Sequence, residues 1–265
     1  MIALERVCLD VGGRRLLDGI DAAISPGELV AVAGPNGVGK TTLLRAIAGL
    51  HAPAAGRICV DGSDVTAMPV AQRALRMAMV TSDDVLFEAL RVRDVVAVGR
   101  FPHHRWWEWR ERPDDGEAIA SALAAVRLEA FAERFVWTLS TGERQRVWIA
   151  AGIAQATPVL LLDEPTSHLD LRVAHEILAL LRNLSRRGKT VVCVMHDLND
   201  AAAYADRIAL LGNGRLAALD VPDRVLGDRI LEETYGVAMQ RVHLSNGTVR
   251  VFAGDQSSGG TCDGG

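Results

Sequence analysis

Short apolar runs alternate with an amphipathic stretch in the second half of the 265-residue chain. The runs Val159–Leu162 and Thr190–Met195 are typical of buried strands, and Leu171–Arg187 between them repeats apolar residues at helical spacing. The residues on that apolar face are Ala174, Ile177, Leu178, Leu181 and Leu184. Strands that alternate with helices predict an α/β fold, in which a mainly parallel sheet carries helices on both faces.

Two other parts of the chain have a different pattern. Residues 3–30 alternate loosely and break at glycine-containing turns, which predicts two or three antiparallel strands. Residues from about 85 to 155 have mainly helical periodicity, interrupted by a loop at 99–109 and again at Pro113–Gly116. We therefore expect one folded unit over 1–254, with an antiparallel N-terminal subdomain and an inserted helical subdomain. Residues 255–265 have little apolar surface to bury, so a disordered tail is expected there.

Composition limits the possible classes of protein. Hydrophobic residues make up 49% and charged residues 23%, which is ordinary for a globular chain, and the net charge of −4 gives no basic field for nucleic acid. The longest apolar runs are too short to span a bilayer, and the first residues lack the features of a signal peptide. Four scattered cysteines without a C-x-x-C pair favour idle thiols over disulfides or a metal site.

A glycine-rich stretch lies between the apolar run 28–33 and the helix formers of 41–49. Its spacing, G-x-x-x-x-G-K-[ST], is that of a phosphate-binding loop in the strand–loop–helix setting that such a loop requires. The residues predicted to bind the phosphates are Gly34, Pro35, Asn36, Gly37, Val38, Gly39, Lys40, Thr41 and Thr42. Lys40 is expected to reach the terminal phosphates and Thr41 to hold Mg²⁺. A plain glycine-rich turn before a helix is the alternative, but the complete motif with both flanks favours binding of a nucleoside triphosphate.

Polar residues follow two of the predicted strands. Asp163 and Glu164 come directly after the run 159–162, where open α/β sheets bind ligands. We expect Asp163 to hold Mg²⁺ and Glu164 to polarise the water that attacks the γ-phosphate. His196 follows the next strand, so neighbouring parallel strands would bring its imidazole to the same edge, where it could hydrogen-bond the γ-phosphate. An acidic turn and a surface histidine are the structural alternatives.

A second candidate anion site begins at Ser140-Thr141-Gly142. Ser140 and Glu143 have capping-box spacing, so the sequence predicts at least a well-capped helix N-terminus. A helix N-terminus with a small residue also suits an anion. Because residues 34–42 already account for the phosphates of one nucleotide, this turn is predicted to serve a nucleotide on a partner subunit.

These motifs, in this order, resemble those of ATP-binding-cassette (ABC) ATPases over about residues 1–240. The stretches that carry the resemblance are the phosphate loop, L-S-T-G-E at 139–143, L-L-L-D-E-P at 160–165, S-H-L-D at 167–170, and His196. The resemblance implies ATP and Mg²⁺ as cofactors and a homodimer that clasps two nucleotides head to tail. Each phosphate loop would then face the partner's Ser140–Gly142 turn, and Asp170 would lie at the dimer seam.

Gly99-Arg-Phe-Pro-His103 resembles a variant found in importer cassettes for iron–siderophores, haem and cobalamin. The resemblance implies an ATPase subunit that energises uptake through a separate membrane permease, together with a substrate-binding protein. Such a subunit would lie peripherally on the cytoplasmic face of the inner membrane and would not bind nucleic acid. The alternatives are a soluble ABC ATPase without a transport role and a degenerate nucleotide-binding module with little turnover.

Three positions depart from the family pattern. Ser82 stands where a glutamine usually contacts Mg²⁺ and water, and Thr141 replaces a usual glycine in the Ser140 turn. Val11 stands where an aromatic ring usually stacks on adenine. The absence of this stack should weaken base binding by roughly 0.5–1.5 kcal/mol. Slow or loosely base-selective hydrolysis is still expected, because Lys40, Asp163, Glu164 and His196 are retained.

The loop from Phe101 to Trp109 contains three tryptophans and two histidines. His103 and His104 are adjacent and are predicted to point in different directions, so they make a poor metal pair. The aromatic residues either pack on the helical subdomain or form a docking surface for a protein partner, rimmed by Arg100, Arg105 and Arg110.

Overall fold

The computed structural model describes residues 1–81, 89–104, 112–245 and 248–254. The strands in these ranges are β1 (Ile2–Val11), β2 (Arg14–Ile24), β3 (Leu29–Ala33), β4 (Ala55–Val60), β5 (Ser63–Asp64), β6 (Met77–Val80), β7 (Val159–Asp163), β8 (Thr190–Val194), β9 (Arg207–Gly212), β10 (Arg215–Asp220), β11 (Met239–His243) and β12 (Val249–Ala253). The helices are α1 (Lys40–Ile47), α2 (Val70–Arg76), α3 (Val92–Val98), α4 (Pro113–Ala125), α5 (Thr141–Ala154), α6 (Leu171–Arg186), α7 (Leu198–Tyr204), α8 (Pro222–Val225) and α9 (Asp228–Tyr235).

A six-stranded sheet in the order β10-β9-β3-β8-β7-β6 forms the centre of the fold. Strands β9, β3, β8, β7 and β6 run parallel, and β10 returns antiparallel to β9. Alternate residues of β3 enter different cores: Val30 and Val32 pack with α1, whereas Ala31 packs on the opposite face with α6. Burial on both faces explains why these strands read as continuous apolar runs. The predicted α/β fold is confirmed.

The N-terminal antiparallel sheet has the order β2-β1-β4-β5. The predicted antiparallel strands in residues 3–30 are thus two, β1 and β2, because β3 joins the central sheet instead. Leu16 and Leu17 of β2 lie so close to Gly39 that a Cβ there would meet both side chains within 3.2 Å. This sheet therefore packs directly against the predicted phosphate loop.

The helical region is built from α3, α4 and α5. A Cβ added at Gly99 would collide with the backbone carbonyl of Ala151, so only glycine permits α3 to approach α5 this closely. The predicted break at Pro113–Gly116 is wrong. These residues form the first turn of α4, because proline fits the first helical position, where its missing N–H leaves no hydrogen bond unmade.

The predicted role of Arg100 as part of an exposed rim is also wrong. Arg100 is only 8% exposed, and its guanidinium donates to Asp115 (2.8 Å) and to the carbonyl of Ala154 (2.8 Å). Nε2 of His104 lies 2.7 Å from the other Asp115 oxygen, while His103 contacts the carbonyl of Gln155. The histidines thus point in different directions, as predicted. Their loop is anchored on α4 and α5, while the loop's tryptophans and the other two arginines lie outside the described residues.

Residues 221–254, which we call the C-terminal module, comprise α8, α9 and the β11–β12 hairpin. The side chain of Asn199 on α7 donates to the carbonyl of Val251 (3.1 Å) and accepts from the Val251 N–H (2.8 Å). This pair of hydrogen bonds joins the backbone of β12 to a side chain of α7. The module is therefore fixed to the helix that follows β8. The predicted tail at 255–265 lies outside the described residues.

Three free cysteines fall within the described residues, Cys8, Cys59 and Cys193. Cys193 lies in the middle of β8, fully enclosed, and burial raises the pKa of its thiol far above the usual range. In the described ranges, no helix is long and apolar enough to cross a membrane.

Candidate nucleotide site

The phosphate loop connects buried β3 to α1. Gly34, Gly37 and Gly39 all have positive φ, at 145°, 75° and 108°, a backbone region that L side chains rarely adopt. Gly39 is the N-cap of α1 and offers no side-chain acceptor to the first N–H groups of the helix. These donors, with the positive end of the helix dipole, make an anion site of the kind that binds phosphate.

Lys40 starts α1 and is 5% exposed. Its Nζ donates to the carbonyl oxygens of Gly34 (2.8 Å) and Pro35 (3.0 Å) within the loop. Burial lowers the pKa of this ammonium, while the charges of Glu164 and Asp163 act in the opposite direction. The loop thus holds a cation beside its own N–H groups, which suits a polyphosphate.

Thr41 and Asp163 meet at the end of β7. Oγ1 of Thr41 donates to Oδ1 of Asp163 at 3.0 Å. Both groups offer hard oxygen ligands beside the phosphate loop, which is the donor set that Mg²⁺ prefers. Within the described ranges, no group of three or more His, Cys, Asp or Glu side chains could hold a metal. This donor set therefore fits an ion bound mainly through phosphates and water.

Glu164 follows Asp163 in a turn with φ of 50°, which is uncommon for a residue with a side chain. Oε1 of Glu164 lies 2.5 Å from Nε2 of His196, and its other oxygen accepts from the Ser167 hydroxyl at 3.0 Å. Burial acts to raise the pKa of Glu164, but the hydrogen bonds from His196 and Ser167, with the charges of His196 and Lys40, outweigh it. The resulting pKa is lower than usual, so the carboxylate is ionised at neutral pH.

These side chains face one open cleft of about 440 Å³. The residues that line it are Leu16, Asn36, Gly37, Gly39, Lys40, Thr41, Thr42, Glu164 and His196. The parallel pairing of β7 with β8 brings Glu164 and His196 to the same edge, as the sequence predicts. Leu16 and Ser167 were not predicted, because Leu16 comes from the N-terminal sheet and the hydroxyl of Ser167 reaches Glu164 only through the turn after β7.

The Ser140 turn lies apart from this cleft. Ser140 caps α5 through a capping box with Glu143: its Oγ accepts from the Glu143 N–H (3.3 Å) and its own N–H donates to the Glu143 carboxylate (2.8 Å). Ser140 and Thr141 are exposed, and neither they nor Gly142 line the cleft. A Cβ at Gly142 would lie 2.9 Å from Cγ1 of Val173, so this turn is packed on the start of α6. Its tip is free to meet a ligand from outside the chain.

The remaining predicted residues lie at the periphery. Asp170 is the N-cap of α6, where its Oδ1 accepts from the Val173 N–H at 2.9 Å. Its neighbour Leu171 is 85% exposed, which is unusual for a leucine. Val11, at the end of β1, is 49% exposed. Ser82 lies outside the described residues.

A glycine-rich loop between a buried parallel strand and a helix, with acidic residues at the end of a nearby strand, defines a P-loop nucleoside triphosphatase. The family profile described as ABC transporter matches residues 17–167, more than half of the chain. The chain therefore belongs to the ABC transporter family, as an ABC ATPase.

Curated relatives agree with this assignment. The chain is 42% identical to the hemin import ATP-binding protein HmuV of Gloeobacter violaceus, over 89% of this chain and 88% of the relative. It is 37% identical to the petrobactin import ATP-binding protein FpuC of Bacillus anthracis, over 95% of this chain and 92% of the relative.

Solved structures match over similar lengths. A metal-chelate type ABC transporter in an inward-facing conformation gives a TM-score of 0.84 at 26% identity, covering 96% of this chain and 98% of that chain. The ATP-binding cassette MJ0796, a dimer bound to ADP and phosphate, gives a TM-score of 0.74 at 28% identity, covering 84% of this chain and 99% of that chain.

Proposed function

We propose that this chain is the ATP-hydrolysing subunit of an importer that takes up a metal chelate, with haem or an iron–siderophore as the cargo, through a separate membrane permease. The observation that carries the enzymatic part is the convergence of Lys40, Thr41, Glu164 and His196 on one cleft beside the phosphate loop. Asp163 joins this group through its hydrogen bond with Thr41. The cargo class rests on relatives that are named for hemin and petrobactin import.

Residues 34–42 would hold the triphosphate, with N–H groups of the loop and α1 directed at its oxygens and Lys40 at its terminal phosphates. Thr41 and Asp163 would hold Mg²⁺, which would neutralise charge that develops on the phosphate oxygens. Thr41 and Asp163 already share a hydrogen bond, so their oxygens are positioned side by side.

Glu164 is the proposed general base. Its lowered pKa keeps it ionised at neutral pH, and an ionised carboxylate can orient a water molecule and accept its proton. The imidazole of His196 contacts Oε1 of this carboxylate, so we assign it the role of orienting the base, in addition to the predicted hydrogen bond to the γ-phosphate. Ser167 fixes the other oxygen. Together they restrict the carboxylate to one direction, which reduces the entropy lost on reaching the transition state.

A second copy of the chain would complete each site. The exposed Ser140–Gly142 turn adds helix N–H groups that the cleft of its own chain does not use. Asp170 and the exposed Leu171 would lie at the seam, where a partner would cover the leucine. We expect the dimer to act on permease subunits at the cytoplasmic face of the membrane, with a substrate-binding protein delivering the cargo.

Reconstitution with a membrane permease of a metal-chelate importer from the same organism tests the proposal. Proteoliposomes that contain both subunits should take up haem or ferric siderophore from the matching binding protein only with Mg²⁺ and ATP, and Glu164→Gln should abolish uptake. Hydrolysis that needs no membrane protein, is unaffected by the permease and drives no uptake would contradict the transport role and favour a soluble ABC ATPase.

A further inference from the structure

The turn between β9 and β10 touches the N-terminal sheet beside the nucleotide cleft. The N–H of Asp18 on β2 donates to the carbonyl of Gly214 in this turn at 2.7 Å. A Cβ at Gly214 would lie 3.1 Å from the carbonyl oxygen of Leu16, closer than an ordinary van der Waals contact. The guanidinium of Arg215, the next residue, lies 3.8 Å from the carboxylate of Asp18. The turn is therefore packed on the backbone of β2 over residues 16–18.

This part of β2 contains a β-bulge. Consecutive residues of a regular strand point to opposite faces, yet a Cβ at Gly39 would meet the side chains of both Leu16 and Leu17 within 3.2 Å. The pairing with β1 explains this geometry. Leu9 of β1 pairs with Leu17, but the next residue of β1 pairs with Arg15. Leu16 is thus the extra residue, and the bulge turns its side chain toward the phosphate loop.

Leu16 forms one wall of the nucleotide cleft. Among the described residues that line the cleft, it carries the one purely hydrocarbon side chain, and it is only partly buried. A leucine side chain offers no hydrogen bond to a phosphate. This wall is therefore suited to the base or the ribose of the nucleotide.

The β9–β10 hairpin supports β2 at the point where the bulge weakens it. The extra residue of a bulge interrupts the ladder to the neighbouring strand, so Leu16 depends on other contacts for its position. The hairpin that supplies them also borders the phosphate loop. Strand β9 pairs with β3, which leads into the loop, and the carbonyl oxygen of Leu211 faces Gly34 so closely that no Cβ would fit there. One hairpin thus contacts both the loop and the strand that forms the wall.

We propose that the β9–β10 turn is a positioning element for the nucleotide cleft: Gly214 holds the bulged part of β2 so that Leu16 stays against the nucleotide beside Gly39. This inference deepens the proposed function and rests on the ATPase part of it. The wall would contact the nucleotide before and during the reaction alike. Its displacement should therefore weaken binding more than it slows chemistry.

Gly214→Ala tests the contact, because the added methyl group would have to displace the Leu16 carbonyl. Gly62→Ala is the matched control. Gly62 has φ of 76°, close to the 71° of Gly214, and lies in the β4–β5 turn of the same N-terminal sheet, but no atom is within 4 Å of an added Cβ. Both substitutions impose similar backbone strain, and only the first pushes on β2. Gly214→Asn carries the same Cβ with less strain, since asparagine adopts positive φ more readily than alanine.

We expect Gly214→Ala and Gly214→Asn to raise KM for ATP, and Kd for a fluorescent ATP analogue, by about three- to tenfold, the range for partial loss of contact with a leucine. The value of kcat should stay within about twofold. Gly62→Ala should leave KM and kcat unchanged.

A double variant tests whether the turn acts through Leu16. Leu16→Ala removes most of the wall and should itself raise KM for ATP. Adding Gly214→Ala to Leu16→Ala should then have little further effect, because the side chain that the turn positions is already gone.

The measurements use the full purified chain, with thermal unfolding of every variant recorded without nucleotide. The supporting result is a rise in KM in both Gly214 variants that is absent from Gly62→Ala and disappears in the Leu16→Ala background. Unchanged KM in either Gly214 variant, an equal rise in Gly62→Ala, or additive effects in the double variant would overturn the inference and leave the proposed function intact. A wild-type chain that binds no ATP would instead overturn the proposed function, and this inference with it.

Discussion

Nε2 of His196 lies 2.5 Å from Oε1 of Glu164, and the two residues follow the neighbouring parallel strands β8 and β7. Neither strand carries both groups, so their contact exists only when the central sheet is paired in the correct register. The same register brings Asp163 beside Val194 and Leu162 beside Cys193. The contact between the proposed base and the imidazole that orients it therefore forms only when β7 and β8 pair in the sheet.

Glu164→Gln should lower kcat for ATP hydrolysis by about 10²- to 10⁴-fold, because the amide cannot accept a proton from water. ATP binding should be retained, since the phosphate loop is untouched. Steady-state phosphate release and equilibrium nucleotide binding measure the two effects. Glu233→Gln is the control, because Glu233 lies on the surface of α9, where its carboxylate pairs with the exposed Arg229. Turnover within tenfold of wild type in Glu164→Gln would assign the base to another group.

His196→Ala should shift the pH dependence of hydrolysis. The hydrogen bond and charge of His196 contribute to the lowered pKa of Glu164. A base with a lowered pKa stays ionised to lower pH, so the acid limb of the wild-type profile should lie below the ordinary glutamate range. Removing the imidazole raises that pKa, and the acid limb should move to higher pH, in addition to any fall in rate. If the acid limb of the pH–kcat profile does not move, His196 does not affect the ionisation of Glu164.

Thr41→Val should raise the Mg²⁺ concentration required for half-maximal hydrolysis, because it replaces the hydroxyl that bonds Asp163 with a methyl group. Removing one ligand or its immediate partner typically costs 10- to 100-fold in metal affinity. Thr41→Ser keeps the hydroxyl and should restore the wild-type Mg²⁺ titration. If valine and serine behave alike, the hydroxyl has no part in metal binding.

Gly99→Ala and Gly116→Ala should change stability in opposite directions. At Gly99 a methyl group would collide with the Ala151 carbonyl, so we expect a loss of about 1–3 kcal/mol in the free energy of unfolding. Gly116 is an exposed position of α4 with no atom within 4 Å of an added Cβ, so alanine there should add about 0.5–1 kcal/mol through helix propensity. Chemical denaturation of both variants measures the difference. Equal stabilities would mean that α3 and α5 can separate at little cost.

Val11→Tyr should tighten ATP binding by roughly two- to tenfold, the range that one aromatic stack provides. Val11 is 49% exposed at the end of β1, so a larger ring can be accommodated without entering the core. Binding of inorganic tripolyphosphate, which has no base, is the control and should not change. An equal gain for both ligands would place the new ring against phosphate or protein instead of adenine.

The sequence predicted the features that depend on local order. Lys40 and Asp163 could be placed because a strand, a glycine-rich turn and a helix follow one another in the chain, and because a carboxylate at a strand end can lie only at the edge of the sheet. To predict that His196 lies near Glu164, it was enough to assume that the two buried strands before them are neighbours in the sheet.

The errors had two causes. Arg100 reads as a surface cation because its partner Asp115 is separated from it in the sequence by the aromatic loop. Pro113 reads as a break, although proline is equally suited to the first position of a helix, which here is α4. The attachment of the C-terminal module to α7 could not be predicted from the sequence, because Asn199 bonds to the backbone of Val251 and not to its side chain. Such contacts leave no periodicity in the sequence.

The rate at which the enclosed thiol of Cys193 is alkylated would report how often the central sheet opens. It is fully buried in the interior strand β8, between β3 and β7, and its raised pKa suppresses the reactive thiolate. Alkylation of this side chain must therefore wait until the strands part. The ratio of the labelling rates without and with ATP would measure how much a bound nucleotide reduces opening of the sheet, using a natural cysteine as the probe.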